Sequence, residues 1–522
     1  MQAGGQTFDL SRPTAIVVSH EASATGAPIL ALNLVQQLSQ THNVVVMLLK
    51  GGPLCQQFQA SSSAFIKARQ GFVNRKLVKR ALKKTCRQRK PAFALVNSAV
   101  SAPLLEPLRG EGIACLCLVH EFVTYIKPLD VFSEIGLWSS RVVCSTPLTW
   151  RDVLRHCSHL TDVQLAVLPQ GRCQLPAGSQ TNRNNQPKRP STREATAFLD
   201  QLPKETLLVL GAGAVQPRKG VDLFVAMAAQ IIRQAPELTV RFAWIGSGYE
   251  PDHDFNVSVW LEDQIIRSGL SDHLVMLDAS PAYQDLIHRS DLFAVSSRLD
   301  PLPNVAIDAM LAGTPVLCFE EACGIANLLE QQPLLHSAGV APYFDCTAMA
   351  RKAVALLRSP ERMKQLGVLT REQASRWFHM PAYIKELINL AGLSSAEVRQ
   401  EESDLLLLRE QKLVKANFAY PDQRQRLTDL ALNQHYLLSW RSNIHARKPF
   451  PGFHPGIYRE HQLEHDASRD PLAHWHQQGQ PVGPWLVPLI QPRDAITRLP
   501  HSSEVALHIH VFYPDLLDPI LG

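Results

Sequence analysis

Residues 290–319, SDLFAVSSRLDPLPNVAIDAMLAGTPVLCF, decide the fold. DLFAVSS (291–297) is a short apolar, strand-like run, and Pro301 and Pro303 then keep Asp300 out of a helix. A helix starts near Pro303 or Asn304, where the fixed proline φ suits a first turn. Gly313 is a natural C-terminal stop, and TPVLCF (314–319) reads as the next strand. Continuous apolar strands alternating with helices imply a parallel sheet covered on both faces.

The same alternation extends upstream of this stretch. TLLVLGAG (206–213), LTVRFAWIGSG (238–248) and LVML (274–277) read as strands, with VDLFVAMAAQIIRQ (221–234) and a segment near 260–269 as helices. The N-terminal half repeats the pattern in TAIVVSH (14–20), the helical GAPILALNLVQQL (26–38), HNVVVMLL (42–49), FALVNS (93–98), a short helix near 102–109, IACLCLVH (113–120), RVVCST (141–146) and LAVLPQG (165–171). Between the halves, 173–200 is polar, proline-bearing and reads as a linker. The expected organisation is a first Rossmann-like domain over 1–172, a second over 201–375, a helical return and extension over 376–445, and an irregular Pro/His/Trp-rich segment over 446–503. Nine prolines within 449–500 argue there against regular helix or central strand.

Composition narrows the function classes. The 522 residues are 45% apolar and 19% charged, an ordinary globular balance, and no apolar run is long enough to span a membrane. The ten cysteines include no C-x-x-C pair, which fits a reducing compartment and argues against a zinc module. The net charge of +5 comes from residues 67–90, which hold eleven Lys/Arg and no acid; without them 41 basic residues face 47 acidic ones. That is not the footprint of a nucleic-acid binder. The segment's apolar residues recur at helical spacing, so it reads as a surface helix with a cationic outer face, with peripheral membrane contact as the alternative.

Two sets of strand C-termini facing across a cleft bring loop residues into a ligand site. In GAGAVQPRKGVDLF (211–224) the glycines permit close approach, and Arg218 and Lys219 stand beside a helix N-terminus, a combination suited to a diphosphate. The Walker spacing is absent. At 300–308 one carboxylate, Asp300, falls on the loop and a second, Asp308, one turn into the helix, while the N–H groups of Asn304 and Val305 are left to bind an anion. The plainer alternative is a pair of acids that favour the helix dipole.

From Gly211 to about residue 375 the chain resembles the C-terminal domain of retaining glycosyltransferases of group 1 (family 4), which have the GT-B fold. The matching pieces are RKGVDLF, WIGSGYE and the 290–319 stretch, in that order and spacing; SHEASATGAPILALNL and LVHEF agree in the first domain. The resemblance covers about residues 13–390. It implies an α/β GT-B architecture, two doubly wound domains facing across a cleft, followed by the C-terminal extension. By resemblance Thr25 and Gly26 match the loop that approaches the donor diphosphate, His120 the active-site histidine, and Lys219, helped by Arg218, a diphosphate-binding residue. Asp300 and Asp308 stand where the family carries a glutamate, seven residues and another glutamate; the first would hold hydroxyls of the donor sugar, the second the ribose. Both are one methylene shorter here, and the arginine the family often places six residues before its lysine falls on Gly213.

The expected function is therefore sugar transfer from a nucleotide-sugar donor to a glycan or lipid-linked acceptor, with retention, no cofactor and no metal, in cell-surface polysaccharide biosynthesis in the cytoplasm or at the inner membrane face. Another GT-B synthase, or a degenerate nucleotide-sugar-binding scaffold, is the alternative. His474-x-His476 and His508-x-His510 lack a third ligand for a metal, and Trp475 and Trp485 read as packing anchors. EVALHIHVFY (504–513) alternates like a strand in need of a partner, so 504–522 is expected to open a further, loosely attached domain. The stretch 454–517 also resembles the connector before rhamnan-synthesis-type domains of bacterial polysaccharide proteins.

Overall fold

The computed structural model describes residues 2–68, 78, 80, 82, 90–157, 164–174, 191–421, 428–464 and 468–487. Most of the basic segment 67–90, the middle of the stretch read as a linker, and the whole of 504–522 lie outside these residues.

The first sheet contains β1 (Gln2–Ala3), β2 (Thr14–Ser19), β3 (Asn43–Leu48), β4 (Ala64–Lys67), β5 (Phe93–Asn97), β6 (Cys115–Val119), β7 (Arg141–Cys144) and β8 (Leu165–Val167), in the order β1-β4-β3-β2-β5-β6-β7-β8. Every pairing is parallel except that of β1 with β4. Every residue of β2, β3, β5 and β6 is buried, which explains why these strands read as unbroken apolar runs. The second sheet runs β11-β10-β9-β12-β13-β14, all parallel, from β9 (Leu207–Ala212), β10 (Val240–Ile245), β11 (Leu274–Leu277), β12 (Leu292–Val295), β13 (Val316–Phe319) and β14 (Val340–Ala341). Both sheets are doubly wound, and their strand order reverses between β2 and β5 and between β9 and β12. Crevices at such reversals are where ligands bind in these sheets.

Three expectations need correction. The linker read over 173–200 ends in a helix, Ser191–Gln201, with Ala195 buried in the second domain and Phe198, Leu199 and Leu202 packed on the same core. That spacing is a helical stripe, hidden in the sequence by the polar residues around it. The 446–503 segment is not wholly irregular: helices span Pro455–Gln462 and Pro471–Gln477, and His474 and His476 lie on the second rather than on a strand. Two of its prolines, Pro455 and Pro471, open helices instead of breaking them, each at the first position behind a side-chain cap from His454 or Asp470. Finally, β1, β4 and β14 were not anticipated; AFIK (64–67) is masked in the sequence by the adjoining basic run.

The second domain leads into helix Pro360–Trp377, after which the 31-residue helix Met380–Glu410 returns to the first domain. Its opening turns place Met380, Tyr383, Leu387 and Ala391 in the core beside helix Gly26–Leu38. Its last turns, with helix Asp429–Ser442 and the aromatic cluster Phe453, Tyr458, Trp475 and Trp485, complete the core on the other face of the first sheet. Buried ion pairs fix this attachment. Glu401 accepts from Arg109 and lies 3.4 Å from Arg441 Nε, and Glu397 takes both Arg141 Nη groups. No helix among the described residues is long and apolar enough to cross a membrane.

Candidate active site

Between the domains lies a cleft of about 940 Å³. From the first domain it is lined by His20, Gly26, His120 and Glu121, and from the second by Arg218, Lys219, Asp300, Asn304 and Val305. Eight of the nine site residues singled out in the sequence, Thr25 among them, therefore share one cavity; Asp308 does not line it.

Helix Gly26–Leu38 opens into the cleft from Thr25, whose backbone is extended. A Cβ on Gly26 would lie 3.4 Å from the Asn304 amide of the opposite domain, so the two helix N-termini approach each other directly. His120 follows β6, and its Nε2 is 3.0 Å from Asn97 Oδ1. Asn97 Nδ2 donates to Ala27 O at 2.9 Å, which leaves Oδ1 as the acceptor and puts the imidazole proton on Nε2. Burial holds the His120 pKa below its ordinary value, so the ring is neutral, and its buried Nδ1 has no partner among the described residues. Glu121 accepts from Ser98 Oγ and from the Ala99 and His120 N–H groups, and thereby fixes the strained Ser98 backbone (φ 77°) at the end of β5.

In the second domain, β9 leads through Gly213 to a single 3₁₀ turn, Pro217–Lys219, which Gly220 ends in the left-handed conformation. A Cβ on Gly220 would fall 2.0 Å from Ser296 O, so the turn requires glycine there. Gly213 has φ 143°, and the Lys219 stem packs 3.2–3.4 Å from where its Cβ would be. Any side chain at that φ, an arginine included, would be strained. Lys219 donates to Asp300, Arg218 Nη1 lies 3.5 Å from the same oxygen, and Ser297 Oγ donates to it at 3.3 Å. Asp300 thus joins both cations, and only its edge meets the cleft.

Helix Asn304–Ala312 starts behind an extended Pro303. Among the described residues the N–H groups of Asn304 and Val305 have no acceptor, and they face the cavity. Asn304 Oδ1 accepts from Gln170 Nε2 across the domain boundary at 2.5 Å. Asp308 is engaged elsewhere: Arg172 Nε donates to one oxygen and the Tyr283 hydroxyl to the other, each at 3.2 Å. Burial raises its pKa, and the Arg172 charge only partly opposes this. The sequence reading missed His20, Asn97, Glu121, Gln170 and Arg172. His20 and Glu121 lie within the quoted SHEASATGAPILALNL and LVHEF and were legible; the other three reach the site only through tertiary packing. Among the described residues no group of three or more His, Cys, Asp or Glu is arranged to hold a metal.

Residues 204–359 match the family model described as glycosyl transferases group 1. The chain is 31% identical over 180 residues to D-inositol 3-phosphate glycosyltransferase of Segniliparus rotundus, which covers 33% of this chain and 37% of that protein. It therefore spans well under half the length of that curated relative. In structure it resembles Anabaena HepE in complex with UDP and glucose (TM-score 0.57, 15% identity, 72% of this chain and 99% of that one). It also resembles the sucrose-phosphate synthase of Thermosynechococcus elongatus (TM-score 0.51, 19% identity, 73% and 98%). The fold is α/β of the GT-B type, and the matched family domain is that of a transferase.

Proposed function

We propose that this chain transfers a sugar from a nucleotide-diphosphate donor, bound in the interdomain cleft, to a glycan or lipid-linked acceptor. The observation that carries the reading is the convergence in one cavity of two cations, Arg218 and Lys219, with the free N–H groups that open helix Asn304–Ala312. Cleavage of the sugar–phosphate bond builds negative charge on the departing diphosphate and positive charge on the sugar ring. Fixed cations and helix N-termini stabilise the first without a metal. The open N-terminus of helix Gly26–Leu38 adds a further positive dipole end from the opposite wall. Asp300, held at the sugar side by Lys219, accepts hydroxyls of the donor sugar, and neutral His120 offers a hydrogen bond rather than a charge. Resemblance to the retaining group 1 enzymes supports retention and a role in cell-surface polysaccharide synthesis. The UDP named for the Anabaena structure supports a uridine donor.

In this reading the acceptor is presented at the inner face of a membrane, with the basic segment 67–90 as the contact. Co-sedimentation with anionic vesicles at low salt, lost as salt rises, tests that part.

A second reading, a binding module without turnover, draws on Asp308. The residue expected to take the ribose is instead bonded to Arg172 and Tyr283. A panel of nucleotide sugars separates the two. UDP binding together with donor hydrolysis or transfer supports the enzyme, UDP binding without turnover supports the module, and no nucleotide binding removes both.

A further inference from the structure

Beside the cleft, on the outer side of the second domain, lies a second groove of about 190 Å³. It is smaller than the 300 Å³ or so at which drug-sized ligand sites begin, and so too small for a nucleotide. Val221, Val257 and Leu261 form its apolar floor, and Gln216, Asn256 and Gln264 stand at its rim. One wall is Trp260, a residue 67% exposed although its indole N–H is already satisfied by Phe255 O at 3.1 Å. That bond orients the ring at the groove wall and lowers the ordering cost of a ligand that stacks there.

The charges in the groove cancel. Arg298 gives its two Nη groups to the Asp222 carboxylate at 2.8 and 2.6 Å, and one of them also to Pro217 O at 2.7 Å. No other charged side chain lines the groove. The Gln216 and Asn256 side-chain amides have no partner among the described residues, and Gln264 spends only its Nε2, on Asp222 O at 2.9 Å. An anion finds no free cation here, and a purely apolar ligand would strand the amides. A pyranose ring meets both demands: its C–H face packs on the indole and its hydroxyls reach planar amides.

We infer that this groove binds a neutral sugar unit. Gln216 and Pro217 line both the groove and the cleft, so a glycan whose reacting end lies in the cleft would place a neighbouring unit on Trp260. The acceptor role rests on the transfer reading above; sugar binding at Trp260 does not.

The test uses the full chain with 5-fluorotryptophan. The Trp260 resonance is assigned by its loss in Trp260→Phe, and the protein is titrated with maltotriose and mannotriose, with and without saturating UDP. The expected result is a saturable shift of that resonance in the millimolar range, kept in the presence of UDP and weakened several-fold by Gln264→Ala. No shift with either trisaccharide, or a shift abolished by UDP, overturns the inference. Failure of the transfer reading would show instead as absence of UDP binding by calorimetry, or as UDP binding without donor turnover, and would leave the titration interpretable.

Discussion

Lys219 and Asp300, 81 positions apart in the chain, form an ion pair across the mouth of the second sheet's switch-point crevice. One follows β9 and the other β12, the two strands between which the order reverses. Both side chains are largely buried, so each depends on the other for its charge to be tolerated. In the proposed transfer, a diphosphate entering the cleft would compete with the Asp300 carboxylate for Lys219, which would link donor binding to carboxylate position.

Replacement of Asp300 should separate binding from chemistry. Asp300→Ala is expected to lower the transfer rate by about 10²–10³, the usual cost of one lost transition-state contact. UDP affinity should hold or rise, because Lys219 is released. Asp300→Glu should keep more activity than Asp300→Ala. Steady-state rates and calorimetry together check this, and equal, near-wild-type turnover in both variants would remove Asp300 from the site.

Arg172→Ala leaves Asp308 without its cationic partner. The expected loss of stability is about 1–3 kcal/mol near neutral pH. Burial already raises the Asp308 pKa, and loss of Arg172 raises it further. A carboxyl with a raised folded pKa contributes stability below its unfolded value and loses it as pH rises. The gap between variant and wild type should therefore widen upward from the ordinary aspartate range. Melting curves across that range decide; a gap that narrows would contradict it.

Glu401→Ala should damage the whole C-terminal attachment. It strands Arg109 and Arg441, both buried, and removal of one member from a buried pair costs about 3–5 kcal/mol. A large fall in the urea midpoint is expected. An unchanged midpoint would mean that the network contributes nothing to holding residues 380–487 on the first domain.

Asp470 offers a pH test away from the cleft. Burial, with the neighbouring Asp404 charge, pushes its pKa up to about 7. Its Oδ1 caps helix Pro471–Gln477 by accepting from Leu472 and Ala473, while Oδ2 is buried without a partner among the described residues. The unfolded carboxyl titrates near 3.9. Its contribution is therefore full below about pH 4 and is lost as pH rises through 7. Asp470→Asn preserves the cap and removes the titration, so its stability relative to wild type should improve between those limits. A constant difference over that window would exclude the titration of Asp470.

The two α/β domains were legible because strands such as β2 and β3 are buried on both faces and have no polar alternation to obscure them. Gly213, Gly220 and Gly313 mark turns for equally direct steric reasons. What stayed hidden depends on partners distant in the chain. Asp308 reads as an open helix-terminal acid until Arg172 and Tyr283 are brought to it from 136 and 25 positions away. The helices at 455–462 and 471–477 are short, weakly patterned and held by aromatic packing on the first domain, so their prolines suggested breakage where they begin a turn.

The chain passes between the domains twice, and the two crossings touch. Arg172 N–H donates to Phe378 O at 2.8 Å, and a Cβ on Gly171 would fall 2.5 Å from Met380 Cα. Two tethers at one point act as a hinge pin. Any relative motion of the domains would turn about that point, so Gln170, one residue before it and on the cleft wall, would be displaced least.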